Sequence, residues 1–177
     1  MSEYKKLTVA LVGPHDPSEF LEEHLREAQS IGAFLAKTGV IVATGAVSGF
    51  PMWGALGAFE SGGTTIGFSP ASSKYEHENH FRQPTDYLST VVYTGFGYLG
   101  RDIVMARSVD IVVVFLGEEG SPHELLLTKE LQKPLLVLAF DYPNDVVEAI
   151  LGDILNQAEI YRTREDLEQR LVEILTN

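Results

Sequence analysis

Short apolar, β-branched runs alternate with helical patterns along nearly the whole chain. Leu7–Val12, Val40–Thr44, Thr64–Ser69, Val91–Thr94, Ile111–Leu116 and Pro134–Phe140 read as strands, with a shorter one around Ile160–Tyr161. A strand that is apolar on both faces must be covered on both faces, and regular alternation of strand and helix joins parallel neighbours. The expected fold is therefore α/β, a Rossmann-like doubly wound parallel sheet of six to seven strands in three layers. No repeat, low-complexity tract or linker interrupts it, so residues 1–177 are read as a single domain, long enough for one well-buried core.

Local signals set the expected helix limits. Asp16-Pro17-Ser18-Glu19 supplies an N-cap, a proline at N1 and an acid at N3, and Gly39 closes that helix after Lys37. Further helices are expected over Pro51–Glu60, Leu99–Ser108, Pro122–Gln132, about Asp145–Asn156 and Glu165–Leu175. The one long polar stretch, residues 71–88, is expected to be a functional or mobile loop without regular structure.

The chain carries a formal charge of −12, with only 13 scattered Lys and Arg residues. A nucleic-acid backbone needs a clustered basic surface, so nucleic acid is not an expected partner. No apolar run approaches the roughly 20 residues of a membrane-spanning helix, so no membrane partner is expected. Cysteine is absent, which excludes disulfides and thiolate chemistry and fits a cytoplasmic location. A small anion stays compatible with this acidity, because helix N-termini and a single Arg bind one locally.

Two glycine turns stand where such a ligand would sit. Thr44-Gly45-Ala46-Val47-Ser48-Gly49 ends the second strand, and Gly117-Glu118-Glu119-Gly120-Ser121-Pro122-His123-Glu124 ends the fifth and opens a helix. In a doubly wound sheet, ligands lie beyond the carboxyl ends of the strands. The first turn lacks the Gly-x-Gly core of a dinucleotide site and the Gly-Lys-Ser/Thr of a P-loop. It reads equally as a tight strand–helix connection or as an anion cradle. The second turn is also a capping box, in which Glu124 returns a hydrogen bond to the Ser121 amide.

At these residues the sequence resembles the LOG-like (lysine-decarboxylase-like, SLOG) Rossmann superfamily. Thr44–Pro70 is similar to its TGG-x-x-G, GA and GG-x-x-IGI-x-P blocks. Thr94-Gly95-Phe96-Gly97-Tyr98-Leu99-Gly100-Arg101-Asp102 is similar to its G-x-x-x-R-N/K block, Gly117–Leu125 to GG-x-GT-x-x-EL, and Lys133-Pro134 to its KP step. The Arg-Asp form resembles the molybdenum-cofactor carrier and unassigned branch more than the LOG phosphoribohydrolases, which have Arg-Lys.

The resemblance implies a ligand site and, in the hydrolase branch, a catalytic pair that carries over to Arg101 and Glu124. Arg101 would hold the ligand's phosphate or pin the glutamate, and Glu124 would stabilise charge developing on ribose or activate water. Gly45, Ala46, Ser48, Gly49, Gly97, Gly117, Gly120 and Ser121 would line the phosphate. The leading expectation is binding of a nucleotide-derived or other phosphorylated small molecule. The alternatives are hydrolysis of the N-glycosidic bond of a nucleoside 5′-monophosphate, and a degenerate interaction protein without catalysis. A homodimer is implied by the family.

This chain departs from the family pattern at Ala46 and Val47, at Glu118 and Glu119, at Ser121 and at Asp102. A carboxylate ~5 Å from a phosphate costs about 3 kcal/mol at an effective dielectric near 20, unless it points away or shares a Mg²⁺ with the ligand. Mg²⁺ is the one cofactor this reading admits, and no resident metal site is expected. His77-Glu78-Asn79-His80 lacks zinc-ligand spacing and reads as part of a lid, with Lys74 or Arg82 meeting an anion. His15 is expected near a ligand base, and Met52 and Trp53 in the core, the crevice or a dimer contact.

Overall fold

The computed structural model describes residues 6–15, 21–117 and 122–176. Seven strands form one sheet: β1 (Thr8–Val12), β2 (Ile41–Thr44), β3 (Thr64–Ser69), β4 (Thr90–Tyr93), β5 (Ile111–Phe115), β6 (Leu135–Leu138) and β7 (Ala158–Tyr161). Their order is β4-β3-β2-β1-β5-β6-β7 and every pairing is parallel. The helices are α1 (Glu22–Thr38), α2 (Phe50–Glu60), α3 (Lys74–Asn79), α4 (Gly97–Ser108), α5 (Pro122–Glu130), α6 (Asn144–Leu151) and α7 (Arg164–Thr176). The three-layer α/β expectation is met, with the sheet reaching seven strands.

Burial explains the layering. Every residue of β5 and β6 is buried, whereas β4, at the sheet edge, has none that is. One core layer joins Val9, Leu11, Val42 and Val113 to Ala28, Ile31 and Leu35 of α1 and to Leu167 and Leu171 of α7. The other joins Ala10, Val12, Val112, Val114 and Val137 to Met105 of α4, Leu125 of α5 and Val147 of α6. Alternate residues of one strand thus feed opposite layers, as the pleat requires.

Helices α1 and α2 cross at glycine. A Cβ on Gly57 would lie 1.8 Å from the Gln29 carbonyl oxygen, and one on Gly32 1.9 Å from that of Gly54. Backbone therefore packs on backbone, and α2 is drawn over the sheet with its first turn beside the end of β1.

Three local expectations change. Residues 71–88 contain α3, whose N-cap Ser73 accepts a hydrogen bond from the Glu76 amide, and whose His77 is fully buried. Ser73-x-x-Glu76 is a capping-box spacing, but Glu76 takes the amide and hydroxyl of Ser72, at 2.7 and 2.5 Å, rather than the Ser73 amide. Helix α1 begins at Glu22, because Leu21 is extended, and residues 16–19, expected to cap it, lie outside the described residues. The helix expected over Asp145–Asn156 stops at Leu151. Gly152 turns to φ +49°, and a 3₁₀ segment, Gly152–Gln157, leads into β7.

Lys133 holds the sheet to α4. Its ammonium donates to the carbonyl oxygens of Ala106 (2.6 Å), Arg107 (3.1 Å) and Val109, capping the negative end of that helix.

Gly57→Ala tests the glycine crossing. Forcing a methyl against the Gln29 carbonyl is expected to cost about 3 kcal/mol and lower the melting temperature by roughly 6–12 °C. Calorimetry or a thermal melt followed by circular dichroism reads this directly.

Candidate functional site

A cleft of about 280 Å³ opens at the carboxyl ends of β1 and β2. It is bounded by Gly13 and His15 after β1, Gly45 and Val47 after β2, Pro51 of α2, Tyr98, Arg101 and Asp102 of α4, and Glu124 of α5. The strand order reverses beside it, between β1 and β5, which is where an open α/β sheet presents its crevice. The structure brings Arg101 and Glu124 together as two buried charged residues on one cleft.

Arg101 is held from several sides. Its Nε lies 2.8 Å from Asp102 Oδ1, an ion pair by distance. The N–H is not aimed at the oxygen, so both atoms stay buried without a hydrogen bond. Nη1 donates to the Phe68 carbonyl at 3.4 Å, and the guanidinium carbon lies 5.8 Å from the centre of the Tyr98 ring. A Cβ at position 45 would fall 1.6 Å from Nη1. Glycine at 45 thus makes room for the guanidinium.

Asp102 has a second partner that the sequence reading missed. Its Oδ2 lies 3.1 Å from His123 Nδ1, across the packed helices α4 and α5. An ionised Asp102 only accepts, which assigns the shared proton to Nδ1 and leaves Nε2 of a neutral ring as an acceptor. The pair spans 21 residues between two helices, and nothing in either segment marks it.

The first glycine turn has its own structural work. Ser48 N–H donates to Gln83 Oε1 at 2.9 Å and Ser48 Oγ to the His15 carbonyl at 2.7 Å. Phe50 N–H donates to the Pro14 carbonyl at 3.2 Å, and Ala46 N–H to Thr44 Oγ1 at 3.2 Å. The Ala46 and Ser48 amides, expected to face a phosphate, face protein acceptors. Gly49 has φ +73°, and a Cβ there would lie 2.4 Å from the Pro14 oxygen. Ala46 also adopts a left-handed backbone, at φ +53°.

The remaining expected residues are distributed as follows. Gly97 begins α4 and donates its amide to the Pro70 carbonyl at 3.1 Å. Gly117 abuts Pro14, whose Cγ would lie 2.2 Å from a Cβ at that position. Glu118, Glu119, Gly120 and Ser121 lie outside the described residues. Trp53 packs against the first core layer, and Met52 faces a small hollow with Val47 and Leu88.

The 71–88 segment is tied down. His77 Nδ1 lies 2.8 Å from Ser69 Oγ, and Nε2 lies 3.3 Å from the Pro84 carbonyl. The Pro84 carbonyl only accepts, so Nε2 of a neutral ring carries the proton and Nδ1 accepts from Ser69 Oγ, which itself accepts from the Ala71 amide. Lys74 pairs with Glu78 at 3.5 Å and Arg82 is exposed; this segment meets the site through Gln83 and through Phe81, whose ring lies edge-on to Tyr98 at 5.5 Å. Among the described residues, no three His, Asp or Glu side chains are grouped to hold a metal.

An open parallel sheet with an arginine–carboxylate cleft at its switch point defines a Rossmann-like domain of the LOG-like class. The chain belongs to the SLOG cluster4 family, whose model matches residues 6–169. No curated protein matches it in sequence. In structure it is similar to the molybdenum cofactor binding protein of Rippkaea orientalis (24% identity, TM-score 0.80, covering 97% of this chain and 98% of that one). It is also similar to the molybdenum cofactor carrier protein of Chlamydomonas reinhardtii (23%, TM-score 0.77, 98% and 100%). DNA processing protein A of Helicobacter pylori, which binds single-stranded DNA, shares the fold as well (20%, TM-score 0.69, 94% and 80%).

Residues 45 and 46 make a paired test of this geometry. Gly45→Ala displaces the Arg101 guanidinium and is expected to cost about 2 kcal/mol. Ala46→Gly relieves the left-handed backbone while loosening the unfolded chain, and is expected to change stability by less than about 1 kcal/mol. Urea unfolding of both variants measures the difference.

Proposed function

We propose that the Arg101 cleft binds a phosphorylated, nucleotide-derived small molecule. The observation that carries this reading is Arg101 itself, a buried guanidinium fixed at the switch-point cleft with Glu124 on the same wall. A guanidinium anchored through Gly45, Phe68 and Tyr98 recognises a phosphate by its charge and planar donors. Membership of the SLOG family and likeness to two molybdenum-cofactor proteins support a nucleotide- or pterin-derived ligand. The acidic chain disfavours nucleic acid, though one fold neighbour binds single-stranded DNA. No described helix is long and apolar enough to cross a membrane, and the protein is read as cytoplasmic. Mg²⁺ would enter this reading only with the ligand, shared with Glu118 and Glu119, where it would offset their repulsion of a phosphate.

Titration calorimetry with nucleoside 5′-monophosphates and a phosphorylated pterin, with and without Mg²⁺, tests the reading. Binding is expected, weakened at least tenfold (about 1.4 kcal/mol) by Arg101→Ala. No heat with any ligand overturns it. Turnover is the second reading, favoured by the presence of Arg101 and Glu124 on one cleft. It requires release of free base that Glu124→Gln abolishes while leaving the melting temperature within a few degrees.

We propose that a homodimer, which the family resemblance implies, pairs through α4. Leu99 and Ile103, one turn apart, and Phe96 before them are exposed on the side of the helix away from its buried Arg101, Asp102 and Met105. Light scattering is expected to give a dimer that Leu99→Glu converts to monomer; a monomeric parent protein rejects this placement.

A further inference from the structure

A second cavity lies at the same end of the sheet, between the start of α1 and the turn after β6. It measures about 300 Å³ and is lined by Leu21, His24, Phe50, Leu116, Phe140 and Tyr142, with Asp141 and Pro143 at its margin. Among the described residues it shares no lining residue with the Arg101 cleft. Its walls are mostly rings: His24 and Phe140 stack with centroids 4.5 Å apart, and Phe50 follows Phe140 at 6.2 Å.

The wall is pre-set at a backbone cost. Phe140 adopts φ +42°, a left-handed conformation that a phenylalanine disfavours. One guanidinium keeps it there. Arg162 Nη1 donates to the Phe140 carbonyl at 3.3 Å and to the Tyr142 carbonyl, and Nη2 donates to Asn144 Oδ1. The Tyr142 amide adds a 3.0 Å bond to the Ala139 carbonyl. Strained residues persist where their surroundings over-determine them, and such places are enriched in ligand clamps.

An adjoining polar cavity of about 290 Å³ shares His24, Phe140 and Asp141. Its other walls include Glu23, Glu27, Arg162 and Arg164. Arg164 is already paired with Glu27, Glu165 and Glu168, and Arg162 is spent on the turn. The Arg162 donors meet neutral oxygens and leave its charge in place, but the carboxylates of Glu23, Glu27, Asp141 and Glu165 outnumber the two guanidinium groups around this space, so its net charge is negative. Apolar rings on one side and acidic, hydrogen-bonding surface on the other match a ring system that carries N–H donors and a hydroxylated substituent.

We infer that these joined cavities form a second ligand site, for an uncharged planar nitrogen heteroaromatic such as a nucleoside or an unphosphorylated pterin. The rings receive the base by stacking and apolar contact, as aromatic side chains receive bases elsewhere. Asp141 accepts from its N–H edge, and the carboxylates reject the phosphate ester. The site thus selects the neutral counterpart of what the Arg101 cleft selects.

The test uses the full chain with guanosine, adenosine and pterin, each compared with guanosine 5′-monophosphate, by calorimetry and amide NMR. Binding is expected with shifts at His24, Asp141 and Tyr142, and with whichever of the nucleosides or pterin binds tightest identifying the source. Phe140→Gly keeps the left-handed turn but removes the ring, and should weaken binding at least tenfold; His24→Ala should do the same without touching the turn. Asp141→Asn, an exposed change, should weaken guanosine and pterin severalfold, whereas Arg101→Ala should leave them unaltered. Absence of shifts at these residues at millimolar concentration overturns the inference. So does an affinity that follows Arg101 rather than Phe140 and His24, or a monophosphate bound at these residues as tightly as its nucleoside.

Discussion

The seat of the Arg101 guanidinium on the backbone of Gly45 is the contact on which the candidate site depends. It joins α4 to the end of β2 and, through the Phe68 carbonyl, to β3. A buried guanidinium is tolerable only with compensating charge and hydrogen bonds. Asp102 provides the charge, while the imperfect aim of Nε leaves two buried polar atoms unsatisfied. A protein built for stability alone would have little use for such a group. Its position beside a cleft fits a small-molecule binding role.

Around this contact the fold acts as a frame. The glycine crossing of α1 and α2 draws the first turn of α2 to the end of β1. There the Phe50 amide meets the Pro14 carbonyl and Ser48 meets both His15 and Gln83. The buried His77 then fixes the segment that presents Gln83. Along the chain this turn reads as an anion cradle; in space it is also a three-way joint. The charged side chains that line the cleft come from α4 and α5.

The alternation of strand and helix made the parallel sheet legible, because strands apolar on both faces leave few other arrangements. Arg101 and Glu124 were legible too, through family blocks rather than spacing. Other features were hidden for identifiable reasons. The α3 helix has a capping-box spacing, Ser73 to Glu76, but only six residues in a polar stretch, and its stability comes from burying His77 against Ser69 and Pro84. The start of α1 was obscured by a stronger capping signal a few residues upstream, and the end of α6 by continuing helical periodicity past Gly152.

By itself the sequence determined the layers and the strand positions, since periodicity acts locally along the chain. Only the tertiary structure decided what each turn does. It showed that Gly45 makes room for an arginine 56 positions away (101 − 45). It showed that Asp102 answers to His123, and that Arg162 forces Phe140 into a left-handed turn beside a second cavity. Each of these is a contact between segments distant in the chain, set by how helices cross and strands are ordered, and no local pattern encodes it.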